Sequence, residues 1–250
     1  MLGSIATVAM LTLPAPVTAK SAAVQAARNV VLVHGLFADA SCWSDVITRL
    51  QEADFNVIAV QNPLTTLEES ANAVRRVLQR IEGPTVLVGH SFGGTIISEV
   101  GGAPNVSALV YIAARAPDAG EDFAGLGKRF SVPPATAGIL FDGDEGRLSE
   151  EAFLRDFAGD ISHSRARVLY ATQQPFQKTL TQATTSHAAW REKPAYYCIS
   201  TADRTINPEL QLFLAQRMKA HTISLNASHL SIISRASDVA ELIKHAAQAE

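Results

Sequence analysis

The stretch Thr85-Val86-Leu87-Val88-Gly89-His90-Ser91-Phe92-Gly93-Gly94 joins an apolar run to a glycine-rich turn. It contains the pattern G-x-S-x-G with Ser91 at its centre, and residues 92–100 that follow favour a helix. In a strand–turn–helix of this kind, the tight turn strains the backbone of the serine and exposes its hydroxyl at the carboxyl end of a sheet. Free amides at the start of the helix favour negative charge that develops there. Ser91 is therefore the candidate nucleophile; the alternative is a glycine-rich turn that carries a serine by chance.

Apolar runs and amphipathic segments alternate on both sides of this motif. The apolar runs predict strands at 29–33, 56–60, 85–88, 106–112, 195–200 and 221–225, and the first two are expected to be buried. The amphipathic segments predict helices at 41–53, 67–81 and 92–100, with two more beginning at 208 and at about 237. This alternation predicts an α/β fold with a mainly parallel sheet and helices on both faces. It stops between 117 and 190, so we expect a core of 29–116 and 191–250 with an insertion of 117–190 above the sheet.

The first 28 residues differ in composition from the rest of the chain. They contain no Asp or Glu, and residues 5–13 are apolar apart from threonine. A small-residue stretch that ends at Ala19 resembles a signal-peptide cleavage site, which predicts export to the periplasm or the medium. No Lys or Arg lies in the first four residues, where a signal peptide carries its positive charge. If residues 1–28 are only a flexible leader, the protein is cytoplasmic.

Composition excludes several classes of protein. The chain has 250 residues, of which 47% are hydrophobic and 18% are charged, so it can build a large core and is not disordered. The net charge is -3 and the 21 Lys and Arg residues are scattered, which argues against nucleic-acid binding. No apolar run reaches the 18 residues that a membrane span needs. Cys42 and Cys198 cannot form a disulfide framework or a cysteine-only zinc site, although one bridge between them stays open.

A serine nucleophile needs a histidine base, and five histidines follow Ser91. In enzymes with a serine on such a turn, the acid and then the histidine come later in the chain. His229 lies in the polar loop Asn226-Ala227-Ser228-His229, between the last predicted strand and the closing helix. From there its imidazole could reach back to Ser91. His229 is therefore the candidate base. The alternative is that His229 is a surface loop histidine with no catalytic role.

The candidate acid is Asp203, which follows the strand predicted at 195–200. There it would accept the Nδ1 proton of His229, hold the histidine tautomer and stabilise the imidazolium. Asp118, just after the strand at 106–112, stays open as an alternative acid. Asp142 and Asp144, in the insertion, are weaker candidates.

The loop after the first predicted strand supplies a candidate oxyanion hole. His34-Gly35-Leu36 follows that strand, so the amides of Leu36 and Phe92 could both bind a tetrahedral oxyanion. Each such donor lowers the barrier by about 3 kcal/mol. Phe37 could form a wall of the pocket, and His34 is expected to anchor the turn.

These pieces together resemble the α/β-hydrolase superfamily, and within it the branch of small bacterial serine esterases and hydroxynitrile lyases. The resemblance covers about residues 29–248. Its motifs are Val31-Leu32-Val33-His34-Gly35, Trp43, the Ser91 turn, Thr201-Ala202-Asp203-Arg204 with Asn207-Pro208, and Ser228-His229. It implies a sheet of about six parallel strands and a helical cap formed by the insertion.

The resemblance implies a carboxylesterase-like serine hydrolase that cleaves small to medium hydrophobic esters through an acyl-enzyme. Phe37, Phe141 and Phe176 are candidate pocket residues. We expect a small-molecule substrate, no cofactor or metal, and a monomer or homodimer. The lyases carry a lysine directly after the histidine, where this chain has Leu230, so cyanohydrin lysis is disfavoured. A small-molecule receptor that keeps the triad, C–C cleavage and perhydrolysis remain alternatives.

Overall fold

The structure of the protein is a computed structural model that describes Gly3 and residues 26–248. Most of the leader, residues 1–28, therefore lies outside the described residues, and so does its predicted cleavage site after Ala19. Within the described part of the chain, no helix has both the length and the apolar character needed to cross a bilayer. Cys42 and Cys198 are both buried and free, so the bridge that the sequence left open does not form.

A six-stranded parallel sheet in the order β2-β1-β3-β4-β8-β9 forms the centre of the molecule, as predicted. The strands of the described residues are β1 (Asn29–Val33), β2 (Asn56–Val60), β3 (Thr85–His90), β4 (Val106–Ile112), β5 (Ile139–Asp142), β6 (Glu145–Leu148), β7 (Phe176–Gln177), β8 (Ala195–Ser200) and β9 (His221–Leu225). The central strands β1 and β3 are rich in valine and leucine and are almost completely buried, as expected of parallel strands covered on both faces.

The prediction that residues 56–60 form a buried strand is wrong in one respect. These residues do form β2, but Asn56 is exposed and the next three residues are only half-buried. β2 lies at the edge of the sheet and pairs with β1 alone. An apolar run of five residues does not distinguish an edge strand from a central one.

Helices cover both faces of this sheet. The helices of the described residues are α1 (Ser44–Gln51), α2 (Leu67–Leu78), α3 (Gly93–Val100), α4 (Phe123–Gly127), α5 (Glu150–Ala152), α6 (His163–Ala171), α7 (Pro208–Arg217), α8 (Ser231–Ser234) and α9 (Ala236–Ala247). α1 packs against α9, and α2 packs against α3. α1 begins three residues later than predicted, because residues 40–43 form a 3₁₀ turn capped by Asp39, whose side chain accepts the Ser41 amide proton at 2.7 Å.

Residues 117–190, the predicted insertion, contain α4, α5 and α6 together with a small antiparallel sheet in the order β5-β6-β7. The resemblance implied helices here and did not indicate this sheet. Its strands are at most four residues long, and β5 is mostly exposed, so they leave no buried apolar run in the sequence. Phe153, Phe157 and Phe176 are buried and belong to the same hydrophobic cluster as the central strands.

Candidate active site

Ser91 occupies the sharp turn between β3 and α3. Its φ angle is 55°, in the left-handed region that a residue with a side chain rarely adopts. The Ser91 amide donates to the carbonyl of Ile112 at 3.2 Å, which ties the turn to β4. A Cβ atom on Gly93 would overlap the backbone of Val33, so the turn packs closely against β1 only because glycine stands there. The side chain of Ser91 faces a cavity at the carboxyl end of the sheet.

Asp203 and His229 form a buried hydrogen-bonded pair. His229 Nδ1 lies 2.7 Å from Asp203 Oδ2, and both side chains are buried. Because an ionised carboxylate only accepts hydrogen bonds, this contact assigns the ring proton to Nδ1 and leaves the lone pair on Nε2. Nε2 is buried and has no hydrogen-bond partner among the described residues. An imidazole in this state can accept a proton through Nε2.

The carboxylate of Asp203 is held by donors from the start of α7. Oδ1 accepts the amide protons of Thr205 at 2.7 Å and Ile206 at 3.0 Å. Oδ2 accepts from Nε2 of Gln211 at 2.7 Å as well as from His229. Four hydrogen bonds therefore fix both oxygens of a carboxylate that forms no salt bridge with a lysine or arginine of the described residues.

Gln211 connects this carboxylate to the sheet. Its side-chain oxygen accepts the amide proton of Ser200, the last residue of β8, at 3.0 Å. Its side-chain nitrogen also donates to the Ile206 carbonyl at 2.9 Å. Gln211 is completely buried. It thus sets the position of Asp203 relative to the carboxyl end of β8.

His90, next to Ser91 in the chain, supports His229 from the other side. His90 Nε2 donates to the backbone carbonyl of His229 at 3.0 Å, and the two rings lie 4.7 Å apart. Burial, together with the nearby His229, lowers the pKa of His90 well below its usual value. His90 therefore stays neutral at physiological pH and adds no positive charge beside His229.

The alternative acid, Asp118, is engaged elsewhere. It forms an ion pair with Arg191, and the hydrogen bond from that guanidinium lowers the pKa of the Asp118 carboxyl. It makes no contact with His229 among those of the described residues. Asp142 and Asp144 lie at the exposed tip of the β5–β6 hairpin. Of the acids considered from the sequence, Asp203 is the one that the structure brings to His229.

The loop after β1 lies directly against Ser91. A Cβ atom on Gly35 would fall 2.5 Å from the Ser91 Cβ, so any larger residue would push into the serine. Neither the Leu36 amide nor the Phe92 amide donates a hydrogen bond to another described residue. His34 anchors this loop: its Nδ1 donates to the Gly35 carbonyl at 2.9 Å, and its Nε2 accepts the Asn62 amide proton at 3.2 Å. Two amides with no acceptor among the described residues therefore flank the serine, one on this loop and one on the Ser91 turn.

A cavity of about 480 Å³ opens above Ser91. Phe37, Phe141 and Phe176, the candidate pocket residues, all line it, together with Leu36 and Phe92. The ring of Phe176 packs edge-on against those of Phe37 and Phe141, with centroids 5.2 Å and 6.0 Å apart. Asp203 and His229 are not among the described residues that line the cavity. The apolar wall suits a hydrophobic part of a ligand.

Three residues with contacts at the site were not found from the sequence. Gln211 lies inside a helix with no motif around it, and His90 was read only as part of the glycine-rich turn. Arg115 lines the cavity beside Ser91. Its position three residues after the predicted strand 106–112 was the available signal, because carboxyl ends of parallel strands share one edge of the sheet.

The sequence model of a family described as "Alpha/beta hydrolase family" matches residues 30–242. The alpha/beta hydrolase nvfD of Aspergillus novofumigatus (strain IBT 16806) is 24% identical over 247 residues, covering 87% of this chain and 96% of that protein. A carbendazim hydrolyzing esterase of Nocardioides sp. (strain SG-4G) is 30% identical over 129 residues, covering 45% of this chain and 52% of the esterase. The solved pyrethroid hydrolase of Sphingobium faniae JZ-2 superimposes with a TM-score of 0.73 at 20% identity, covering 89% of this chain and 98% of that chain. At this identity the superposition shows a shared fold.

Proposed function

Because this chain belongs to the alpha/beta hydrolase family, we propose that it is a carboxylesterase-like serine hydrolase with Ser91 as nucleophile, His229 as base and Asp203 as acid. The observation that carries the proposal is the buried 2.7 Å hydrogen bond from His229 to Asp203, which leaves His229 Nε2 free to accept a proton. The left-handed backbone of Ser91 supports it, since strain of this kind collects at active sites. A relative named as an esterase agrees with ester hydrolysis.

In the first half of the reaction, Ser91 Oγ attacks the ester carbonyl while its proton moves to His229 Nε2. The carbonyl oxygen becomes an oxyanion and accepts hydrogen bonds from the Leu36 and Phe92 amides. The bond between the carbonyl carbon and the alcohol oxygen then breaks. The leaving alkoxide takes the proton from His229, which leaves the acyl group on Ser91.

In the second half, His229 removes a proton from water, and the hydroxide attacks the acyl carbon of the acyl-enzyme. The same two amides hold the second oxyanion. Its collapse breaks the bond to Ser91 Oγ, which recovers its proton from His229 and releases the acid. Asp203 stabilises the imidazolium in both halves and remains ionised.

The substrate is proposed to be a small to medium ester with a hydrophobic part. The aromatic wall formed by Phe37, Phe141 and Phe176 supports this size and character, because about 480 Å³ lies within the range typical of small-molecule sites. Two of these residues belong to the insertion, which we propose acts as a cap that completes the pocket.

The proposal is tested with a fluorophosphonate probe, mass-spectrometric mapping of the adduct, and p-nitrophenyl esters from acetate to octanoate. We expect labelling at Ser91 and turnover that the Ser91→Ala variant loses. Asp203→Asn should lower kcat by about 10⁴-fold, as loss of the orienting carboxylate does in other serine triads. Asp118→Asn is the matched control and should keep activity near the wild-type level. No labelling, or turnover that survives Ser91→Ala, would contradict the proposal and favour a receptor.

We further propose that residues 1–28 direct export and that the mature protein is a monomer or homodimer. The acid-free leader with its apolar run at 5–13 supports the first statement. N-terminal sequencing of protein from cell fractions tests it, since an exported protein should begin after Ala19. Light scattering on the same sample gives the oligomeric state.

A further inference from the structure

Arg115 is placed beside the nucleophile by the backbone. It follows β4 at the carboxyl end of the sheet, and its amide donates to the carbonyl of Ser91 at 3.0 Å. The guanidinium carbon lies 5.6 Å from the ring centroid of Phe92 and 5.4 Å from that of Phe123. Two aromatic faces therefore hold the cation, which lines the same cavity as Ser91.

The guanidinium of Arg115 has no polar partner among the described residues. It forms neither a salt bridge nor a side-chain hydrogen bond there, although five N–H groups are available. Two other arginines near this part of the chain are paired with acids: Arg191 with Asp118, and Arg217 with Glu121. Arginine at a buried or half-buried position is normally paired, because an uncompensated charge is costly to desolvate.

The charged residues that line the cavity also favour an anionic ligand. Of the described residues that line it, Arg115 and Lys128 are charged, and neither Asp nor Glu is among them. Burial lowers the pKa of Arg115 to about 10, so the side chain is still protonated at neutral pH. The cavity therefore presents positive charge to a ligand, and its described lining residues include no carboxylate to neutralise that charge.

We propose that Arg115 binds a carboxylate carried by the substrate, so that the ester processed at Ser91 also bears an acid group. This rests on the proposed function, since it names the substrate class of the same site. A guanidinium offers two parallel N–H donors that match the two oxygens of a carboxylate. One half-buried guanidinium also balances the single negative charge of a carboxylate, whereas a phosphate dianion would need further buried donors.

The test compares matched esters that differ in the acid group. p-Nitrophenyl hemisuccinate and p-nitrophenyl butyrate have acyl chains of equal length, so their kcat/KM ratio reports recognition of the acyl-side carboxylate. 4-Acetoxybenzoate and phenyl acetate do the same for an acid on the leaving group. We expect Arg115→Gln to lower the acid-to-neutral ratio in at least one pair by about 10- to 100-fold, as loss of a charged hydrogen-bond partner does.

Two control variants make the result specific. Arg129→Gln removes a guanidinium that lies over the Phe213 ring and does not line the cavity, so it should leave both ratios unchanged. Lys128→Gln removes the second cation of the cavity. Acid-to-neutral ratios that are the same in the wild type and Arg115→Gln would overturn the proposal. A loss that follows Lys128→Gln instead would also overturn it.

A binding measurement separates failure of this proposal from failure of the proposed function. In the Ser91→Ala variant, monomethyl succinate should raise the Tm more than methyl butyrate does, and Arg115→Gln should abolish the difference. If the wild type hydrolyses no ester but this shift is present, the hydrolase proposal fails while Arg115 still binds carboxylates. If esters are hydrolysed but neither the ratio nor the Tm responds to Arg115→Gln, the carboxylate proposal fails alone.

Discussion

Replacing Gln211 by methionine should lower both stability and kcat, because one side chain makes three buried hydrogen bonds. Methionine keeps the length and lack of branching of glutamine but removes the bonds to the Asp203 carboxylate, the Ser200 amide and the Ile206 carbonyl. A hydrogen bond to a charged group contributes about 1.5–3 kcal/mol, and a buried amide left without an acceptor costs about 1–3 kcal/mol. We therefore expect Gln211→Met to destabilise the fold by about 3 kcal/mol. In a domain of this size that corresponds to a fall in Tm of about 6–12 °C.

The effect on catalysis should be smaller than that of removing the carboxylate. Three donors, the Thr205 and Ile206 amides and His229, still hold Asp203 in the variant. We expect kcat to fall by about tenfold, equivalent to about 1.4 kcal/mol of transition-state stabilisation. KM should stay near the wild-type value, because Gln211 does not line the cavity. This split between kcat and KM distinguishes positioning of the acid from general loosening of the pocket.

The assay is p-nitrophenyl butyrate hydrolysis with a thermal melt on the same preparation. Gln216→Met is the matched control, since Gln216 is an exposed residue of the same helix, α7. It should change neither Tm nor kcat appreciably. The reasoning is refuted if the two variants melt at the same temperature. It is also refuted if Gln211→Met raises KM while kcat stays at the wild-type value.

Two further predictions concern close packing and pH. Gly35→Ala would place a Cβ atom 2.5 Å from the Ser91 Cβ. It should lower kcat/KM about 100-fold, because the proposed nucleophile is displaced. The control is Gly102→Ala, whose Cβ enters open space and which should leave kcat/KM unchanged in the same assay. The hydrogen bond from Arg155, together with a second arginine, lowers the pKa of the buried Asp156 carboxyl. The ionised carboxylate therefore stabilises the folded protein at pH values above its usual pKa of about 4. This stabilisation is lost as the pH falls through the lower pKa that the group has in the folded state. The Tm difference between the wild type and Asp156→Asn should therefore be constant from pH 7 to 5 and shrink below pH 4; a constant difference down to pH 2.5 would exclude this contribution.

Much of the central sheet was predictable because its inner strands are buried on both faces. The apolar runs at 29–33, 85–88 and 106–112 have few interpretations other than strands of a parallel sheet. The alternation with helices then brings the carboxyl ends of these strands to one edge. Ser91 and Asp203 could be assigned to that edge from their positions directly after strands. Both became candidates because hydrophobic periodicity locates the strands and therefore identifies the residues that follow them.

Features that depend on strand order or on tertiary contacts were not predictable from these sequence patterns. β2 was expected to be buried and is an edge strand, since strand order does not follow from an apolar run. The β5–β6 hairpin has four-residue strands with exposed side chains, too short and polar to give an alternating pattern. Gln211 is 8 residues from Asp203 in the chain, and Arg115 is 24 residues from Ser91. No local sequence pattern connects the members of either pair. Their partners are set by tertiary packing.

The neutrality of His90 explains how two imidazoles can lie 4.7 Å apart at the centre of the site. During the proposed reaction His229 becomes an imidazolium, and a second cation at this distance would oppose its formation by about 3 kcal/mol at an effective dielectric constant of 20. Burial lowers the pKa of His90 and keeps its ring uncharged. The neutral ring still donates from Nε2 to the His229 carbonyl, so it positions the base without repelling the charge that the base acquires. Since His90 directly precedes Ser91, the strand that leads to the proposed nucleophile also holds in place the histidine proposed to take its proton.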